Sequence, residues 1–225
     1  MIFKLFRITL VTSIAIILFL LTFKKAESFI ESAQKKIKNI QRDSLILIVD
    51  TYLKDIKVKS FLDTIAYAEG TYHKNGYKSL FTGKIFDNFS DHPRRKITAS
   101  SIKILNLSNR IKHMLFNRFN IYSTNNIKLT SSAAGRYQIL APTWDNITLK
   151  LNLSDFSPIN QDRAAVYLLK IKNIIDYIIN NQFEIAIRKA SKVWASLPGS
   201  TYGQPIISLK KLKEFYLNRL KYYKK

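Results

Sequence analysis

The chain has 225 residues, 37 lysines and arginines against 15 aspartates and glutamates, and no cysteine. That length holds one compact domain with a real hydrophobic core plus an appendage. A hydrophobic content of 47% with 12% aromatics excludes a disordered chain, and the missing cysteines exclude disulfide frameworks, thiol catalysis and Cys-ligated zinc. The formal net charge of +22 suits an anionic partner such as nucleic acid, acidic lipid or cell-wall polymer. The richness in Ile, Lys and Asn is equally what an AT-rich genome produces.

Ile8 to Phe23 carries no charge and follows Lys4 and Arg7. Sixteen residues make a helix of about 24 Å, short of a hydrocarbon core of roughly 30 Å. Ile2, Phe3, Leu5 and Phe6 lengthen the apolar stretch, and Lys4 and Arg7 can snorkel. A cleaved signal peptide would show small residues spaced A-x-A, but Lys24-Lys25-Ala26-Glu27 follows instead. Residues 1–25 therefore read as an uncleaved signal anchor, a single-pass membrane helix, with export after cleavage as the alternative. Residues 26–57 read as a basic helical stalk: Phe29, Ala33, Ile37 and Ile40 recur at helical spacing among Lys35, Lys36, Lys38 and Arg42. Leu45 to Val49 either packs on the next domain or continues the helix.

The next helix holds the first chemical clue. Val58, Phe61, Leu62, Ile65 and Ala66 mark a core-facing stripe. At 100° per residue Glu69 falls on the same face, and Gly70 supplies a stop. A carboxylate there meets apolar neighbours and the negative end of the helix dipole; both raise its pKa, as a general acid at neutral pH requires. The bland alternative is a glutamate turned to solvent at a fraying end.

Residues 71–98 read as strand-and-turn material punctuated by Gly76 and Gly83, closing in an Asp91-His92-Pro93-Arg94 loop. A helix is expected around Ile104 to Leu115, another behind Pro142, and a long one from Pro158 whose stripe runs through Ala164, Leu168, Ile171, Ile175 and Ile178. Phe183 to Ser196 and a basic helix from Ile207 to Tyr223 complete the chain. Trp144 and Trp194 read as core. The sum is an α+β class, mostly helical with a small β insert. His73, His92 and His113 are scattered without metal-ligand spacing, so no metal site is expected.

Several blocks, in order, resemble the phage lambda lysozyme (endolysin) family. They are Phe61-Leu62-Asp63, Ala68-Glu69-Gly70-Thr71, Gly76-Tyr77, Phe89-Ser90-Asp91-His92-Pro93-Arg94, Ala134-Gly135-Arg136-Tyr137-Gln138-Ile139-Leu140, Asp155-Phe156-Ser157-Pro158, Trp194-Ala195-Ser196-Leu197-Pro198-Gly199 and Tyr202-Gly203-Gln204. The resemblance covers roughly residues 58–215 and implies a lysozyme-like catalytic domain over residues 58–225. It implies lytic transglycosylase activity on peptidoglycan glycan strands: cleavage between N-acetylmuramic acid and N-acetylglucosamine, leaving a 1,6-anhydro end, with no cofactor. Glu69 matches the family's catalytic glutamate. Thr71, Tyr77, Asp91, Arg136, Tyr137, Gln138, Tyr202 and Gln204 are the residues expected to bind substrate, with Asp91 and His92 also suited to pinning their loop. Arg136 suits an ion pair with Asp91 or Asp63.

Two features depart from the family. Lys78 follows Gly76-Tyr77 where the lambda protein has an acidic residue, which favours a route with one glutamate; ordinary glycosidases use two carboxylates. Residues 95–133 form an enlarged insertion. The expectation is a membrane-tethered enzyme with its catalytic domain on the cell-wall, periplasmic side, monomeric as far as the sequence indicates. A hydrolytic muramidase or a non-catalytic glycan- or membrane-binding relic are the alternatives. No nucleic-acid motif accompanies the basic faces.

Overall fold

The computed structural model describes residues 2–94, 97–99, 129–200 and 207–225, and for residues 2–20, 82, 97–99, 129 and 130 the backbone alone. The chain divides into two compact units, Met1–Leu45 and Ile46–Lys225. A single helix, α1 (Ile2–Lys54), supplies the first unit and enters the second. The segment expected to be an anchor is helical along this backbone, and its side chains up to Leu20 lie outside the described residues. Among the described residues no helix is long and apolar enough to cross a membrane.

The second unit begins at Ile46, earlier than the boundary at 58 expected from sequence. The last turns of α1 belong to it because Val49 is fully buried. In addition, the Asp50 carboxylate takes two hydrogen bonds from the Arg163 guanidinium, at 2.8 and 2.9 Å. The Leu45–Val49 run thus continues the helix and packs through Val49, while Leu47 and Ile48 stay exposed.

Helix α2 (Ile56–Ala68) restarts the chain at Asp55, whose Oδ1 accepts from the amides of Lys57 and Val58 at 2.7 and 3.1 Å. That N-cap satisfies donors the first helical turn leaves open. The expected stripe is the observed one: Val58, Phe61, Leu62, Ile65 and Ala66 are all buried. Its neighbour is the C-terminal helix, Leu209–Tyr223. Phe61 meets Phe183 and Tyr216 edge-on, and Tyr67 stacks on Phe215 with centroids 4.3 Å apart.

Residues 71–94 hold two 3₁₀ turns, Gly76–Lys78 and Phe81–Gly83. They are joined to isolated bridges Ser79–Ile85 and Leu80–Ala134. The apolar pieces here are too short for a ladder, so the chain closes locally, as in Ser79 N–H to the Gly76 carbonyl. The β structure described is one antiparallel pair, β1 (Ile97–Ala99) with β2 (Leu129–Ser131), registered Ile97 to Ser131. The helix expected around Ile104 to Leu115 lies outside the described residues.

Helix α3 (Ala141–Leu151) has Pro142 in its first turn and buries Trp144, Ile147 and Leu151. Helix α4 (Pro158–Ile171) was expected to run through Ile178 but stops short. Asn173 takes φ +52°, and the Ile174 amide folds back to the Leu169 carbonyl at 2.9 Å, a C-terminal turn that short polar side chains tolerate. Ile171 consequently faces solvent at 48% exposure. The chain resumes as α5 (Ile175–Ile179), α6 (Phe183–Ala190) and α7 (Leu209–Tyr223).

One buried acid joins three of these segments. Asp63 on α2 accepts from Arg136 Nη2 at 2.8 Å, Arg219 Nε at 2.7 Å and Tyr223 Oη at 2.9 Å. Removing one member of a buried pair leaves its partners uncompensated and costs about 3–5 kcal/mol. Asp63→Ala is therefore expected to lose stability on that scale in urea unfolding. A loss under about 1 kcal/mol, the range of surface pairs, would show that the cluster holds nothing together.

Candidate active site

Helix α2 ends in a turn that fixes Glu69. Gly70 adopts φ +74°, its amide reaches the Tyr67 carbonyl at 3.2 Å, and the Thr71 amide reaches the Ala66 carbonyl at 2.9 Å. This paired closure is favoured when glycine follows the cap. It leaves Glu69 as the C-cap, helical in backbone (φ −74°, ψ −5°) and part-buried in side chain. Its Oε1 accepts from the Ser196 hydroxyl at 2.6 Å. Burial raises the Glu69 pKa from 4.5 to about 7, against the pull of the Ser196 hydroxyl and amide toward the charged form. The helix C-terminus works in the same direction as burial.

Ser196 is aimed by its own segment. Trp194 and Leu197 are buried on either side of it, and Trp194 Nε1 donates to the Tyr137 carbonyl at 3.1 Å. The two apolar anchors leave the serine between them turned to Glu69.

A polar frame holds the adjoining 134–139 turn. Gly135 takes φ +76°, and a β-carbon there would collide with the Gln161 side-chain amide and the Phe156 ring. Gln161, fully buried, accepts from the Arg136 amide at 2.8 Å and donates to the carbonyls of Tyr77 and Phe156 at 3.0 and 2.8 Å. The Arg136 guanidinium lies over the rings of Tyr72 and Tyr77, 5.1 Å from each centroid. The Thr71 hydroxyl, buried, bonds to the carbonyls of Arg136 at 2.5 Å and Ala66 at 3.1 Å. Below them Asp162 takes the Tyr77 hydroxyl at 2.9 and 3.1 Å and the Tyr137 hydroxyl at 2.7 Å. Burial lifts the Asp162 pKa to about 6, while the two phenols and Arg136 pull it down.

Thr71, Tyr77, Arg136 and Tyr137, expected at the substrate, thus occupy one interlocked frame, and Arg136 pairs with Asp63, not Asp91. Arg136 and Tyr137 are buried, and their polar atoms face protein. Gln138 reaches the surface in part, at φ +47°, its Nε2 on the Gly135 carbonyl at 2.9 Å. Asp91 stands apart from this frame, accepting from Arg94 Nε, the His92 amide and Trp144 Nε1 at 3.0, 2.7 and 3.3 Å. His92, buried, links the Arg94 amide through Nδ1 to the Ile139 carbonyl through Nε2. Those partners assign its proton to Nε2. Asp91 and His92 therefore pin their loop. Lys78 is tied to the Asp87 carbonyl at 3.1 Å. Tyr202 and Gln204 lie outside the described residues. Sequence reasoning did not single out Ser196, Asp162 or Gln161; short polar residues inside a motif block or a helix carry no periodic signal of their own.

Residues 59–221 match the family model described as Endolysin. The chain belongs to the endolysin family. It is 35% identical over 152 residues to the endolysin of Escherichia phage lambda, which covers 65% of this chain and 80% of that one. To the endolysin of Escherichia phage P2 it is 36% identical over 165 residues, 69% and 87% of the two chains. Among solved structures it is similar to bacteriophage lambda lysozyme complexed with a chitohexasaccharide. The TM-score is 0.59 at 32% identity, over 73% of this chain and 94% of that one. A second bacteriophage lambda lysozyme structure gives 0.52 at 29% identity, over 76% and 93%. The fold is lysozyme-like and mostly helical, and this endolysin is an enzyme that cleaves glycosidic bonds of peptidoglycan.

The raised Glu69 pKa has a stability consequence. The folded protein holds this proton to higher pH than the unfolded chain, so the group's favourable contribution fades as pH climbs from 4.5 to about 7. Glu69→Gln, which does not titrate, is expected to gain stability relative to the parent over that window, reaching at most about 3 kcal/mol above it. Urea unfolding of both proteins at pH 4 and pH 8 checks this, and a difference constant across pH contradicts it. Ser196→Ala removes a donor to the charged form and is expected to move the alkaline limb of activity to higher pH.

Proposed function

We propose that this endolysin is a lytic transglycosylase in which Glu69 acts alone, first as acid and then as base. The observation that carries the reading is a carboxyl group with a pKa of about 7 whose partner is the Ser196 hydroxyl. Among the described residues no second carboxylate perturbs it. Protonated Glu69 gives its proton to the glycosidic oxygen, and the bond from that oxygen to muramoyl C1 breaks. The Glu69 carboxylate then takes the proton of the muramoyl C6 hydroxyl as its oxygen bonds to C1. Glu69 ends protonated, no water is consumed, and a 1,6-anhydro end results. Inverting and retaining hydrolases need a second carboxylate to activate water or attack C1; Lys78, tied to the Asp87 carbonyl, offers none.

The relative crystallised with a chitohexasaccharide supports a glycan strand as ligand here. Gln138, Tyr202 and Gln204 are assigned to direct glycan contact. Thr71, Tyr77, Arg136 and Tyr137 are assigned to the frame beneath, because their polar atoms are already engaged. The α+β description rests on the β1–β2 pair, and the membrane tether on the uncharged Ile8–Phe23 segment within α1. The tether places the catalytic domain on the cell-wall side.

Purified peptidoglycan digested by the full chain is expected to yield muropeptides with 1,6-anhydro ends, one water lighter than hydrolytic products, and Glu69→Gln to yield none. Reducing ends would make the enzyme a muramidase instead. In fractionation the full chain is expected to stay with membranes after an alkaline wash, and a chain lacking residues 1–25 to be released.

A further inference from the structure

Side chains along helix α1 form a regular seam. Phe23, Ala26, Ile30, Ala33, Ile37, Ile40, Ser44 and Leu47 alternate in steps of three and four over 25 residues. This is the heptad spacing of positions a and d in a coiled coil, sustained over more than three repeats. Ile30, Ile37 and Ile40 are 55%, 55% and 56% exposed in the single chain. A long helix draws most of its stability from packing an apolar face, so a face of this kind calls for a cover.

The charges indicate what covers it. With Ile30 and Ile37 at position a, Lys24, Lys25, Lys35, Lys38 and Arg42 all occupy positions b, c and f, on the far side of the helix. The flanking e and g positions hold Glu27, Phe29, Gln34, Lys36, Gln41 and Asp43. In a parallel, in-register pair Phe29 faces the second copy's Gln34 and Lys36 faces its Gln41, so no like charges oppose across the seam. A strongly basic chain thus presents to itself a strip free of repulsion. An interfacial membrane helix would instead need a broad apolar sector, whereas this strip is only the width of an a/d seam and keeps every lysine but the flanking Lys36 at the back.

We propose that residues 23–47 form a parallel two-stranded coiled coil with a second copy of this chain, giving a dimer in place of the monomer expected from sequence. The inference does not depend on which glycan reaction the enzyme performs. Two catalytic units joined by one stalk would engage a polymeric substrate at two points, raising residence without any new contact.

The natural absence of cysteine makes the test direct. Full-length protein in mild detergent is given a single cysteine at the seam, Ile37→Cys or Ile40→Cys, or at the back, Lys38→Cys, and oxidised. Seam positions of a parallel pair fall within disulfide reach, back positions do not. The expected result is rapid disulfide-linked dimer for the first two and little for the third. Light scattering of the unmodified chain is expected to give a protein mass of twice 26.1 kDa. The double variant Ile37→Lys, Ile40→Lys is expected to halve that mass while retaining cleavage of soluble glycan per chain. A monomeric mass, a mass of three or more chains, or equal cross-linking at all three positions would overturn the proposal.

Discussion

The catalytic unit depends on one buried acid. Asp63 binds two guanidinium groups and a phenol from two segments, Arg136 from the turn after β2 and Arg219 and Tyr223 from α7. Together the contacts fix α2 against two different segments, and α2 carries Glu69 at its end. Arg136 passes the constraint on: held by Asp63, it lies over Tyr72 and Tyr77 and gives its carbonyl to Thr71. Tyr77 in turn shares Asp162 with Tyr137. A chain of buried polar contacts therefore runs from the middle of α2 to the turn just beyond Glu69, and every link has a partner, as buried polar groups require.

Three acids in one domain receive three environments. Asp63 has two arginines, Asp162 has two phenols, and Glu69 has the hydroxyl and amide of one serine and a helix C-terminus. Fewer donors to the charged form and more desolvation push a carboxyl pKa upward, and burial carries Glu69 to about 7 and Asp162 to about 6. The separation matters chemically: a proton donor must hold its proton at working pH, and its conjugate base must be able to take one back. Asp162, committed to Tyr77 and Tyr137, serves as a support.

Much of this was legible in the sequence because periodicity reports burial. The α2 stripe predicted both its core face and the inward position of Glu69, and Gly70 marked the stop. The frame around the site was not legible, since it is built from contacts between residues far apart in the chain, such as Ser196 with Glu69 and Gln161 with Arg136. Local geometry also intervened: Asn173 in the left-handed region split a helix whose apolar pattern ran on, leaving Ile171 in water. The start of the catalytic unit moved forward to Ile46 because Val49 and the Asp50–Arg163 pair belong to its packing. Thr71, in the same motif block as Glu69, and Arg136 and Tyr137, in the Ala134–Leu140 block, have side chains spent on the protein itself.

The central claim is that the fold sets Glu69 to be protonated near neutrality before any substrate arrives. Its most direct test is a titration of the Glu69 side-chain carboxyl by carbon-13 NMR in the substrate-free protein, assigned by comparison with Glu69→Gln. The account predicts a midpoint near 7, set by burial and only partly offset by Ser196. A midpoint at 4 to 4.5, in the ordinary range of glutamate, would mean that the carboxyl is charged and solvated at working pH, and would contradict it.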